Sequence, residues 1–387
     1  MDLDNITNTY KRKIRKILLL PSAYYSQNRA IKNYSQNTKN LIIILIPVTE
    51  GVGGGLKMLY SLADKIREYN SLHNSEVILS TLPSILTHFK NKMFENSERI
   101  YRFNQLLSYF NSLDHLEIWI PDFASGSFIK CLSSSNKKKL KEISNLKFVI
   151  ANQNLDLMPE PESLNTYYEY TPNVMQICTP DSVWLQDLCN TYNMPVHYFS
   201  LKINPKEYHY LEYNKKEDII VLSPDICITG NGTDEEILSG KKMKNSIIQS
   251  ITDNFQKMNQ ITVSNMKYEE YKDLISRSKY LVTFGGGNDY FFMETYLSGS
   301  IAFAVMTPRF CPSKEFSDLP TVYSSFEEMR ENIAKDIMYF EENPRYYEEV
   351  NTMTREIILK YFGPERFAEN VKQYFLKNYT CFPNSTQ

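Results

Sequence analysis

Residues 41–66, LIIILIPVTEGVGGGLKMLYSLADKI, decide how the chain is read. Positions 41–48 are apolar without alternation, the pattern of a strand covered on both faces. They run into the glycine loop Gly53-Gly54-Gly55 and then into apolar residues at helical spacing. Strand, loop and helix in that order are the unit from which a parallel sheet is built. Working outward, the pattern predicts further strands at residues 76–79, 115–120, 147–150 and 195–198, with helices at 91–110 and 180–192 among them. A polar, tyrosine-rich stretch at 202–216 interrupts the alternation and reads as an interdomain linker, after which DIIVL at 218–222 opens a second series. That series reads as a helix at 239–259, a strand at 260–263, a helix at 268–278 and a strand at 280–284. Helices follow from about Tyr290, from Ser325 with Glu328 as a capping box, and over 364–378. The expected fold class is α/β, with two Rossmann-like, doubly wound domains at 1–201 and 217–363 and a C-terminal helical segment at 364–387.

Composition excludes several classes. The 387 residues suffice for two cores, and 43 basic against 45 acidic side chains leave a formal charge of −2, which excludes a generally basic nucleic-acid binder. The six cysteines, Cys131, Cys178, Cys189, Cys227, Cys311 and Cys381, form no CxxC pair and no zinc spacing, so a reducing cytoplasm is expected. The longest apolar runs near the N-terminus are too short for a signal-peptide core or a membrane span. Lys11, Arg12, Lys13, Arg15 and Lys16, interleaved with apolar residues, suit either an anionic inner membrane surface or docking on the protein itself.

Glycine is scarce and concentrated. Only 13 residues are glycine, about half of the ~7 % average usage, yet six of them form the triplets Gly53-Gly54-Gly55 and Gly285-Gly286-Gly287. Each triplet follows an expected strand and precedes an expected helix, where bare backbone N–H groups and a helix N-terminus can hold a phosphate or sugar hydroxyls. A tight turn with no ligand is the competing reading, less favoured because the triplet occurs twice in equivalent places. Neither triplet is a Walker loop or a dinucleotide fingerprint. Downstream of the second, Glu294 falls within the helix, where a carboxylate can accept hydrogen bonds from vicinal hydroxyls. The alternative for Glu294 is a partner lysine or a backbone cap. Asp289 is placed either to touch a sugar hydroxyl or to cap the helix.

The segments FGGGNDYFFMETYLSGSIAFAV (284–305) and PVTEGVGGGLKMLYSLADKI (47–66) resemble the retaining, nucleotide-sugar-dependent glycosyltransferases of the GT-B fold, family four. The resemblance extends through YEEYKDLISRSKYLVTF (268–284) and LPTVYSSFEEMRENIAKDI (319–337) and is strongest in the C-terminal half. It implies two Rossmann-like domains facing a central cleft, an N-terminal acceptor-side domain, a C-terminal domain that binds the nucleotide sugar, and a last helix that crosses back to the first domain. That family carries two glutamates with seven residues between them, and Glu294 matches the second, with Ser298-Gly299 matching the small-residue turn that follows. The resemblance thus assigns Glu294 to the donor ribose, Gly287 and Asn288 to the donor sugar and phosphate, and Gly53, Gly54 and Gly55 to the diphosphate. The first glutamate is missing, because its position holds Gly286. The family's basic pair for the diphosphate is sought among Lys241, Lys242 and Lys244, with Lys241 or Lys242 expected. No histidine sits in a recognisable motif, and the catalytic residues are not identified.

Three functions follow. The first is a transferase that moves a sugar from a nucleoside-diphosphate sugar to a glycan or lipid-linked acceptor in surface polysaccharide synthesis, using no cofactor and no metal. Leaving-group stabilisation and positioning carry most of that chemistry. The second, motivated by Gly286, is an inactive GT-B protein acting as partner or scaffold of an active transferase. A sugar-nucleotide epimerase of the same fold would need carboxylates and histidines that no motif supplies.

Overall fold

The computed structural model describes residues 27–47, 53–85, 89–90, 98–179, 184–228, 232–264, 266–286, 289–306 and 311–384. These fall into two compact units, one within Met1–Glu50, Ala63–Ala151 and Pro159–Met175, the other within Gly51–Leu62, Asn152–Met158 and Gln176–Gln387. The basic segment at 11–16 lies outside the described residues. Among the described residues, no helix is long and apolar enough to cross a membrane.

The first unit is built on parallel strands β1 (Asn40–Ile46), β2 (Glu76–Thr81), β3 (His115–Pro121) and β4 (Asn145–Asn152) in the order β2-β1-β3-β4. Leu41 to Ile46 are all fully buried, as a two-sided strand requires, and Ile43 sits in register with Ile78 on one side and Ile118 on the other. Helix α1 (Gly54–Glu68) returns the chain from β1 to β2. The helix expected over 91–110 is shorter: residues 91–97 are outside the description, Arg99–Ile100 is a strand, and helix α2 covers only Phe103–Tyr109. The cause is the free edge of β2. Tyr101 N donates to Leu79 O (3.0 Å) and Thr81 N to Tyr101 O (2.7 Å), so extended backbone at Tyr101 satisfies groups that a helix would leave unpaired.

In the second unit, residues 176–178 of β5 (Val174–Cys178) pair in parallel with β6 (Val196–Tyr198), which follows helix α3 (Leu185–Tyr192). A five-stranded sheet contains β7 (Glu217–Leu222), β8 (Asn259–Thr262), β9 (Ser278–Gly286), β10 (Ile301–Val305) and β11 (Val322–Tyr323), all parallel, in the order β8-β7-β9-β10-β11. Tyr280 to Val282 and Phe284 of β9 are fully buried. Helices α4 (Asp234–Asn254), α5 (Tyr268–Arg277), α6 (Tyr290–Leu297), α7 (Phe326–Glu342), α8 (Pro344–Phe362) and α9 (Pro364–Phe375) complete it. Helix α4 starts five residues before the expected 239 because Thr233 and Glu236 form a reciprocal capping box, Glu236 N donating to Thr233 Oγ1 (3.3 Å) and Thr233 N to Glu236 Oε2 (2.7 Å). Ser325 caps α7 as expected, accepting from Glu328 N (3.1 Å), but the Glu328 carboxylate returns to Ser324 N (2.8 Å) rather than to Ser325.

The tyrosine-rich stretch at 202–216 packs onto this unit. Tyr213 N donates to Glu348 Oε1 (2.6 Å), and the Lys216 ammonium donates to Ser276 O, Ser298 O and Ser300 Oγ at 2.8–3.1 Å. Gly299 ends α6 with φ +82°, and a side chain there would run into the Leu211 carbonyl. This explains why the Ser298-Gly299 turn needs glycine. At the C-terminus, Val196 and Cys381 exchange backbone hydrogen bonds of 3.1 Å, and Ser200 N donates to Asn370 Oδ1 of α9 (3.1 Å).

Candidate donor site at the strand ends of the second sheet

In an open parallel sheet, ligands bind beyond the carboxyl ends of the strands where the order reverses. In the second sheet that point lies between β7 and β9, so a ligand would meet the residues after Leu222 and Phe284. The two strand ends are tied together. Ser223 N donates to Val282 O (2.9 Å), Phe284 N donates to Ser223 Oγ (2.9 Å), and Ile228 bridges Gly285 in parallel. Gly286 pairs with Val305 of β10.

Lys244 reaches this place. Its Nζ donates to Ser223 O (2.7 Å) and Asp225 O (2.6 Å) and lies 4.6 Å from the centre of the Phe284 ring. Burial pushes its pKa down, while Asp225 and the Cys227 thiol act to raise it. Lys241 and Lys242 are exposed on α4. Helical periodicity explains the choice, because Lys244 shares one stripe with the buried Gly240, Ile247 and Ile251, whereas positions 241 and 242 are turned away from it. That spacing was visible in the sequence.

Asp289 is the N-cap of α6, its Oδ1 accepting from Phe292 N (2.8 Å) and its Oδ2 from Thr283 Oγ1 (2.7 Å). Burial pushes its carboxyl up to about 7, opposed by those two hydrogen bonds and reinforced by the charges of Asp225 and Glu294. A Cβ on Gly285 would stand 3.2 Å from Asp289 Oδ2 and 3.8 Å from Asp225 Oδ2, so two carboxylates flank the glycine at the end of β9. Asp225, isolated in the sequence, was not expected here.

Glu294 lies deeper on the same helix, its side chain 2 % exposed. Its Oε1 accepts from Lys57 Nζ (2.7 Å), Tyr208 OH (2.8 Å) and Tyr268 OH (2.8 Å). Lys57 Nζ also donates to Tyr208 OH (2.7 Å) and to Tyr268 OH. It stands 4.8 Å from the ring centres of Tyr268 and Tyr290 and 5.3 Å from that of Tyr208, an aromatic cage around an ammonium. Burial and the Glu294 charge hold the hydroxyls of Tyr208, Tyr268 and Tyr290 well above the ordinary tyrosine range. Lys57, Tyr208 and Tyr268 were missed in the sequence because they come from three remote segments, and no spacing links them.

The remaining expected residues divide. Gly53 has open space around it, whereas a Cβ on Gly54 would lie 2.7 Å from Tyr290 Cδ2, so the small residue at 54 lets the chain pass over that ring. Gly55 lies exposed in the first turn of α1, where its carbonyl accepts from Gln153 Nε2 (3.2 Å). Gly287 and Asn288 lie outside the described residues. Among the described residues, no three His, Cys, Asp or Glu side chains group as a metal site. A polar cavity of about 470 Å³ lined by Lys39, Arg67, Glu76 and Glu98 sits at the amino ends of β1 and β2, the wrong end of a parallel sheet for such a ligand.

No described protein family and no curated protein matches the chain by sequence. Solved structures do match it. Sucrose-phosphate synthase from Thermosynechococcus elongatus aligns with a TM-score of 0.52 at 12 % identity, over 88 % of this chain and 99 % of its own. A glycosyltransferase from Rickettsia africae gives 0.52 at 11 % identity, over 88 % and 99 %. HepE from Anabaena, solved in complex with UDP-glucose, gives 0.51 at 9 % identity, over 87 % and 99 %. The fold is GT-B. The GT-B assignment agrees with the two parallel, Rossmann-like sheets and with the fold that the resemblance implied.

Proposed function

We propose that this chain is a glycosyltransferase that moves a sugar, with retention, from a nucleoside-diphosphate sugar to a glycan or lipid-linked acceptor, in surface polysaccharide synthesis. Residues 217–363 take the nucleotide sugar and residues 1–201 the acceptor, as in family four of the GT-B enzymes, and the work is done in the cytoplasm. One observation carries this reading. At the order reversal of the second sheet, the glycine end of β9 leads to the capped N-terminus of α6, and the buried face of α4 delivers the Lys244 ammonium to the neighbouring strand end. A cation beside glycine backbone and a helix N-terminus is suited to a departing diphosphate. UDP-glucose bound to HepE, a protein of this fold, supports the ligand class.

The test is thermal stabilisation by a panel of nucleoside-diphosphate sugars, since a ligand of the native state raises its melting temperature by mass action. A shift with one nucleotide family that Lys244→Met abolishes supports the proposal. A second reading, an inactive GT-B partner of an active transferase, is favoured by one specific finding: Glu294 is occupied by Lys57 and two tyrosines, and the other family glutamate is Gly286. Absence of any nucleotide shift would favour that reading.

A further inference from the structure

If Glu294 is to hold a ribose, its carboxylate oxygens must be open to the two hydroxyls of a diol. Oε1 is instead crowded by three donors, from Lys57, Tyr208 and Tyr268, in a side chain that is 2 % exposed. A carboxylate offers about two acceptor sites per oxygen, so a diol that spans both oxygens of Glu294 can engage Oε1 only after a donor has left. We infer that Lys57 is an internal competitor for Glu294, and that donor binding must expel its ammonium from the tyrosine cage. The inference rests on the proposed donor role of Glu294.

Lys57 is the donor best able to leave. The two phenol rings are themselves part of the buried packing, Tyr208 and Tyr268 each being 8 % exposed. The Lys57 ammonium ends a flexible stem of four methylene groups on the first turn of α1, directly after the glycine loop, and Gly53 has open space beside it. A destination exists. Glu207 Oε2 is 3.9 Å from Lys57 Nζ, and its side chain is 35 % exposed, so the ammonium can exchange a buried carboxylate for a wetter one without losing its counter-charge. The cage that now surrounds Lys57 would then offer Tyr208, Tyr268 and Tyr290 as walls to the sugar ring.

The experiment measures binding of UDP, GDP, CDP and ADP by titration calorimetry to the full chain and to Lys57→Met, Glu294→Gln and the double variant. Lys57→Met is expected to bind the preferred diphosphate at least tenfold more tightly than wild type, and the gain should vanish in the double variant. Equal or weaker binding by Lys57→Met overturns the competition while leaving the donor reading intact. Failure of all four diphosphates with every protein overturns both. Should Lys57→Met not fold, the unaltered chain still decides. Acetic anhydride labelling, read peptide by peptide, should modify Lys57 far more slowly than the exposed Lys241 and Lys242, and saturation with the bound diphosphate should raise the Lys57 rate at least tenfold. An unchanged Lys57 rate in the saturated protein sinks the proposal.

Discussion

Helix α6 carries a buried carboxyl group at Glu294 and a half-buried one at its N-cap, Asp289, and the two are handled in opposite ways. Glu294 has a cation 2.7 Å away and two phenol donors on the same oxygen. Asp289, one and a half turns earlier, receives a backbone N–H and a threonine hydroxyl, and among its charged neighbours are Asp225 and Glu294, both negative. Hydrogen bonds alone do not offset its burial, so its carboxyl titrates near neutrality. The difference teaches that burial on one helix does not set the character of a carboxylate; what the remote chain segments bring to it does. One end of the helix is sealed by an ion pair, and the other faces the strand ends where a ligand is expected.

The strongest way to break this comparison is to remove one partner of the sealed pair. Glu294→Ala or Lys57→Met should each cost about 3–5 kcal/mol in urea unfolding, because the other charge is stranded in the core. Lys57→Met combined with Glu294→Leu should cost clearly less than the sum. Additive losses would show that the two side chains are not a pair.

The next effect concerns Asp289 and pH. Its carboxyl is raised in the folded state from 3.8 to about 7, so the native protein binds a proton that the unfolded chain has already lost. The stabilisation is therefore full below about pH 4, declines as pH rises towards 7, and is absent above that. Asn is as good an N-cap as Asp but carries no charge, so Asp289→Asn should keep the helix and flatten the fall in melting temperature between pH 5 and pH 8. An undiminished slope in that variant would place the titration elsewhere.

Smaller effects separate the lysines of α4. Lys244→Met strips a charged donor from two carbonyls and should cost about 1.5–3 kcal/mol for a hydrogen bond of that kind, and it should weaken any nucleotide binding. Lys241→Ala and Lys242→Ala should stay within about ±0.5 kcal/mol, as exposed substitutions do, and leave nucleotide affinity unchanged. A loss of nucleotide affinity on changing either exposed lysine would instead support the assignment that the sequence suggested.

Much of the fold was legible in the sequence. A short, unbroken, isoleucine-rich run such as residues 41–46, closed by a proline and a glycine loop, fits a strand covered on both faces, and its alternation with helical patterns points to parallel sheets, because periodicity is a local property of the chain. The caps at Asp289 and Ser325 were legible for the same reason. The helix expected over 91–110 failed because an edge strand 20 residues away claimed the backbone at Tyr101. Which of the three lysines of α4 approaches the strand ends follows from its buried stripe, whose spacing was present in the sequence but whose packing partner was not.

Around Glu294 the division is sharpest. The sequence alone determined that a carboxylate would lie in an apolar helix behind a glycine turn, since both features are written within about ten consecutive residues. Only the tertiary structure decided that this carboxylate meets Lys57, Tyr208 and Tyr268, from positions 237, 86 and 26 residues away in the chain. Local patterns state which side chains must be buried. Which charges are buried together depends on how the elements pack, and no repeat along the chain records it.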